Sequence, residues 1–292
     1  MIKFKRILKP YIYLLPAILL LGILMLYPMA TVISYSVMDN VIMNKSPRFI
    51  GMVNYKTILE DPIFHTALGN TLYFTILSVI FHLVIGLCFA LLLNTKYISD
   101  FFKYLFRIFY ILPWIFTATI IAVIWRLLLN PNGVINYVIS YLHISKSNIE
   151  WFSSSKWALH ALTFVNIWAG YPFYMVSILA GLQSIPKDYY EAAVIDGANI
   201  VQQFAVITIP HLIPIILSIA MLDFIWTMQV FPLVWMATGG GPIHATETLS
   251  TFTYKLAFSN YKFSLAATSA VIILILSLFM AFFYVKKQKI RG

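Results

Sequence analysis

Six long apolar runs, near 11–36, 67–93, 104–129, 157–182, 206–236 and 263–285, alternate with short polar connections along the chain. A helix needs about 20 residues to cross a hydrocarbon core of about 30 Å, so each run is long enough to span. The pattern predicts an all-α integral membrane protein with six transmembrane helices in a single domain over 1–292. The first run exceeds the about 7 to 15 apolar residues of a signal peptide, so it reads as a retained helix. Pro16 and Pro28 in the first run, Pro113 in the third, Pro172 in the fourth, and Pro210, Pro214 and Pro232 in the fifth predict kinks or end effects that neighbouring helices must accommodate.

One connection stands apart. Between the fourth and fifth runs, residues 186–204 set acids, amides and a glycine among apolar positions. Pro186 bars continuation of the preceding helix, and Asp188 with Glu191 three residues on has the form of a capping box, so a short helix should start there. Gly197 offers a left-handed end, and Asn199 with Gln202 a second start. Two short helices at an angle would present Tyr190, Ala193, Val194 and Ile195 to a partner, with Ala192 and Ala193 small enough for close approach. The plainer alternative is a helix lying on lipid. Such helices favour Lys and Arg, whereas this one has Asp188, Glu191 and Asp196 against Lys187.

Composition agrees with the membrane reading: 61% of residues are hydrophobic and 10% charged, against about a quarter charged in soluble domains. The net charge of +10 does not call for nucleic acid, because the basic residues cluster at the ends of the chain and beside apolar runs. Lys3, Lys5, Arg6 and Lys9, then Lys96, Lys103 and Arg107, then Lys286, Lys287, Lys289 and Arg291 place both termini and the second and fourth connections in the cytoplasm. There is no convincing internal repeat, low-complexity linker or separate soluble domain.

Several chemistries are absent. No glycine begins a Gly-x-x-x-x-Gly-Lys-Ser/Thr phosphate loop, and no Gly-x-Ser-x-Gly elbow occurs, so no enzyme is expected. The single cysteine, Cys88, allows no disulfide within the chain, and the six histidines at 65, 82, 143, 160, 211 and 244 show no metal-binding spacing. His82, alone in an apolar run, reads as a hydrogen-bonded core residue.

Polar groups inside the runs mark a candidate path for solute. Asp223 is the carboxylate deep within the fifth run, where a charge costs a few kcal/mol and should face the bundle interior. At helical spacing it shares a face with Trp226, Thr227 and Val230, with Gln229 displaced. A carboxylate beside an indole can bind a sugar, the acid accepting hydroxyl hydrogens and the ring covering an apolar sugar face. A structural Asp paired with another helix fits the same position. In the fourth run Asn166, Gly170, Tyr174, Ser177 and Gly181 form a stripe that suits close helix packing, with Asn166 and Tyr174 as solute candidates. Asn70 and Tyr73 in the second run are of the same kind. Thr238-Gly239-Gly240-Gly241-Pro242 reads as a flexible outer turn.

The segment Glu191-Ala192-Ala193, followed by Asp196-Gly197-Ala198 and by Ile207 and Pro210, resembles the EAA loop of binding-protein-dependent ABC importer permeases. The resemblance covers nearly the whole chain. Ala180-Gly181-Leu182-Gln183-Ser184-Ile185-Pro186 and Thr238-Gly239-Gly240-Gly241-Pro242 are similar to the carbohydrate-uptake branch, and the latter to the first permease of the maltose and multiple-sugar type pair. It implies that Glu191, Ala192, Ala193, Asp196, Gly197 and Ala198 couple to an ATPase subunit. It implies as partners a second permease, two ABC ATPases that use ATP and Mg, an extracytoplasmic solute-binding protein and a sugar or related solute, with no cofactor on this chain. It also implies alternating access in the cytoplasmic membrane. A rival is a proton-coupled secondary carrier using Asp223, although such carriers usually show inverted repeats. An intramembrane enzyme is disfavoured by the lack of paired catalytic groups.

Overall fold

The computed structural model describes residues 13–95, 97–145 and 147–289. The basic cluster Lys3, Lys5, Arg6 and Lys9, the first two residues of the first apolar run, Lys96 and Arg291 lie outside the described residues. The helices are α1 (Tyr13–Ser36), α2 (Val53–Leu59), α3 (Pro62–Asn94), α4 (Asp100–Ile115), α5 (Ala118–Leu128), α6 (Val134–Tyr141), α7 (Ala158–Ser184), α8 (Lys187–Ile195), α9 (Ile200–Met228), α10 (Pro232–Ala237), α11 (Leu249–Tyr254) and α12 (Phe263–Lys289). Among the described residues the extended pairing is confined to one isolated bridge, Met38 with Phe49. Five helices are long and apolar enough to cross a membrane, and the bent pair α4 and α5 makes a sixth if counted as one span.

Two compact units are distinguished: residues up to Asp61 with Thr253–Ile275, and Pro62–Phe252 with the residues from Leu276 onward. In the first unit polar side chains staple the end of α1. Ser36 O accepts from Asn54 Nδ2 at 3.0 Å and from Thr268 Oγ1 at 3.1 Å, which satisfies a carbonyl that the helix end leaves without an intrahelical partner.

The second unit is organised by α3 and α7. They run parallel: Gly170 abuts His82, and one turn further along both helices Gly86 abuts Tyr174. Apolar clusters lie on either side of this level. One gathers Phe74, Trp125, Leu162, Val165 and Val234, and the other Ala90, Tyr174, Ile178, Leu212 and Ile219. Absence of a side chain at Gly86 lets the helix backbones meet. A Cβ there would stand 2.4 Å from Tyr174 Cβ and 2.9 Å from the Met175 main-chain nitrogen. In lipid, such small-residue contacts replace the hydrophobic drive that holds soluble bundles together.

The structure corrects several expectations. The third run is not one straight helix. Phe116 and Thr117 are extended, with ψ of 144° and 151°, and Thr117 Oγ1 accepts from Ile120 N to cap a new helix, so α4 and α5 diverge by 99°. The fifth run stops at Met228, because Gln229 leaves helical geometry and Pro232, which lacks an N–H, begins the separate α10. Ahead of two other prolines the backbone widens instead of breaking, while Pro113, Pro172 and Pro214 lie inside α-helix. π turns at Gly22–Leu26 and Phe204–Thr208 precede Pro28 and Pro210.

Candidate functional site

Where the middle of α3 and α7 meets the last turns of α9, between the two apolar clusters, Asp223 sits only 8% exposed. His82 Nδ1 lies 2.8 Å from Asp223 Oδ2, and Tyr174 donates to the same oxygen at 3.1 Å. Thr227, one turn along α9, donates to Oδ1 at 2.9 Å. His82 Nε2 lies 3.0 Å from Asn166 O, and a Cβ at Gly170 would be 2.3 Å from the ring, so glycine there is what leaves room for it.

Four predicted residues therefore converge here: Asp223, Thr227, Tyr174 and Asn166. The Asn166 amide nitrogen is buried and makes no hydrogen bond among the described residues. Trp226, beside the cluster, is 61% exposed and tilts against Phe173 at 5.9 Å between ring centres. Gln229 is turned away, donating to Ser277 Oγ at 3.1 Å. His82 is hydrogen-bonded in the core as expected, but its partner was invisible, since no local pattern joins positions 82 and 223.

Asn70 and Tyr73 do not join this group. Asn70 Nδ2 donates to the main-chain oxygens of His244 and Glu247, at 3.1 and 3.0 Å. Tyr73 OH meets His160 Nδ1 at 2.6 Å. Asn70 thus clamps the glycine-rich loop, and that loop is not the loose turn its composition suggests. Gly239 and Gly240 take φ of +60° and +88°, Thr246 Oγ1 donates to Gly241 O at 2.6 Å, and Leu249 N donates to Thr71 Oγ1 at 2.9 Å. Glu247, fully buried, meets His244 Nδ1 at 3.0 Å. Sequence reasoning passed over Glu247, which lies outside every long apolar run.

The segment between α7 and α9 holds one short helix, α8, and the second start signal opens α9 itself, so the expected pair of short helices is a short helix followed by the first turn of a long span. Gly197 has φ of +80°, and Asn199 and Gln202 form a reciprocal capping box. The first start signal fails: Pro186 is the cap residue and makes no side-chain bond, leaving Asp188 to act through its charge in the first turn. Tyr190 also turns inward, its hydroxyl 2.9 Å from Thr208 Oγ1. The face left open is apolar, with Val194, Ile195 and Ile200 at 62%, 86% and 81% exposure. Glu191, Ala192, Asp196 and Gly197 are exposed beside it, and Ala193 and Ala198 are half-buried.

Membrane-length helices around a polar cluster, with an open apolar-faced segment joining two of them, fit a transmembrane permease. The chain belongs to the family of binding-protein-dependent transport system inner membrane components, whose profile matches residues 67–291. It is 33% identical over 272 residues to a probable ABC transporter permease of Pyrococcus horikoshii, covering 92% of each chain. It is 30% identical over 294 residues to the trehalose/maltose transport system permease MalF of Thermococcus litoralis, covering 99% of this chain and 97% of that one. The sulfoquinovosyl glycerol permease SmoG of Agrobacterium fabrum is 32% identical, with 93% and 87% covered. In fold, the chain is similar to a crystal structure of a bacterial ABC transporter involved in import of the acidic polysaccharide alginate, with a TM-score of 0.81 over 97% of each chain at 24% identity. The chain is an ABC transporter permease subunit.

Proposed function

We propose that this permease imports a sugar or related polar solute handed over by an external binding protein, and that residues 186–204 are its contact with an ATP-hydrolysing subunit. The observation that carries the reading is the exposed apolar face of Val194, Ile195 and Ile200 on a segment tied at both ends to membrane helices. A partner that pushes on this segment acts directly on α7 and α9, which hold Asn166, Tyr174, Asp223, Trp226 and Thr227. The solute class is supported by the names of relatives over nearly the full length, a trehalose/maltose permease and a sulfoquinovosyl glycerol permease. Trp226 offers a ring for an apolar sugar face, with Thr227 and Asn166 as polar company. Gln229, Asn70 and Tyr73, each hydrogen-bonded elsewhere, are left off this path, and Asp223 acts by ordering its neighbours.

Coupling is tested at two positions. At Gly197 a Cβ would meet nothing within 4 Å, so the cost of Gly197→Val comes from φ of +80° alone, about 1–2 kcal/mol and local. That variant is expected to insert normally yet lose most ATP-driven uptake. Ala193→Trp is expected to reduce the ATPase subunit retained on affinity-purified permease. Parental uptake and ATPase recovery in both would remove the docking assignment.

Orientation is proposed from the lysine and arginine pattern: both termini and residues 186–204 lie in the cytoplasm. In a Cys88→Ala background, cysteines at Ser46, Ser154 and Ser259 are expected to react in intact cells with an impermeant thiol reagent, and one at Ser99 is not. Labelling at Ser99 alone would invert the topology.

A further inference from the structure

The hydrogens around His82 can be counted. Nδ1 faces Asp223 Oδ2 at 2.8 Å and Nε2 faces Asn166 O at 3.0 Å, and a main-chain oxygen only accepts. A neutral imidazole has one N–H, so it serves both acceptors only if the carboxyl group supplies the second hydrogen. The carboxyl group, however, already receives the Tyr174 hydroxyl on Oδ2 and the Thr227 hydroxyl on Oδ1. Two hydroxyl hydrogens thus already point at its two oxygens, and a hydrogen on Nδ1 would be a third, a set that a carboxyl group accepts most readily when it carries no hydrogen of its own.

We propose that His82 carries a hydrogen on both ring nitrogens and, paired with ionised Asp223, forms a charge-balanced lock joining α3, α7 and α9. His82 is then a positioning residue: it fixes Asp223, which fixes Thr227 and, through Tyr174, the facing side of α7. Balanced charge lets a carboxylate sit at this depth, and removing either partner strands the other, the costly case for buried pairs. The lock deepens the proposed function, since α7 and α9 are the two helices joined by residues 186–204. Held to each other and to α3 at this level, they transmit motion of that segment as one body.

Two measurements decide it, and neither needs a solute, so their failure is distinct from failure of the transport reading. In the assembled transporter in lipid nanodiscs, with 15N-labelled histidine and His82 assigned by its loss in His82→Gln, both ring nitrogens are expected to resonate as N–H at neutral pH. A bare nitrogen on His82 overturns the charged lock. The second is a cycle of His82→Gln, Asp223→Asn and the double variant, read as the melting midpoint of the purified complex. The double variant is expected to fall short of the summed single losses by ~4 °C or more. Assembly recovered only in the double variant reads the same way, and strict additivity overturns the pairing.

Discussion

Gly86→Val is expected to abolish most recovery of folded protein from the membrane. The added Cβ would stand 2.4 Å from Tyr174 Cβ and 2.9 Å from the Met175 main-chain nitrogen, and neither atom is the movable end of a side chain. Relief requires parting α3 from α7, which would open the seam that holds the His82 and Asp223 cluster. Overpacking of this kind costs about 1–3 kcal/mol where side chains can shift, and more where backbones must. Gly69, on the same helix, is the control, because a Cβ there meets nothing within 4 Å. Detergent-extracted yield by size exclusion should collapse for Gly86→Val and stay parental for Gly69→Ala. Similar profiles for the two would refute the close seam.

The second large effect is expected at Gly240. Its φ is +88°, and a Cβ would lie 2.7 Å from a carboxylate oxygen of Glu247, whose side chain is fully buried. Gly240→Ala therefore combines a left-handed backbone cost of about 1–2 kcal/mol with a clash that the buried acid cannot swing away from. Gly239→Asn is the contrast: φ is +60°, which Asn tolerates, and the nearest atom to its Cβ is Trp235 O at 3.8 Å. The first variant should melt well below the parent and become sensitive to protease between 238 and 248, while the second should differ little. Equal behaviour would mean that the loop is as loose as its composition suggests.

This loop shows where sequence reasoning stops. Three glycines and a proline indicate a turn, but its order comes from Asn70, some 170 residues earlier, whose amide nitrogen serves two loop carbonyls at once. The spans were legible because membrane helices must satisfy their backbone within the segment, which makes length and apolarity nearly sufficient. The break between α4 and α5 was not, since Thr117 as a cap inside an apolar run resembles any other threonine until its hydroxyl meets Ile120 N. Asp223 was legible as a buried charge needing company. Its companions were half legible: Thr227 by helical spacing and Tyr174 by its stripe, but not His82, whose contact joins positions 141 residues apart. Gly197 and the Asn199 and Gln202 pair were read correctly because caps and left-handed ends are decided within a few residues.

The π turn at Phe204–Thr208 sets the phase of α9. It accommodates one residue more than an α-helical turn, and each residue rotates the helix by about 100°. The exposed residues at the start of α9 and the buried Asp223 near its far end are therefore aligned by this wide turn, not by an unbroken 3.6-residue period. Losing a single residue there would restore regular helix and leave composition almost untouched, yet it would rotate the two ends of α9 against each other by about a quarter of a circle. The loop end of α9 and the end that carries Asp223 are keyed to each other by one extra residue in the wide turn between them.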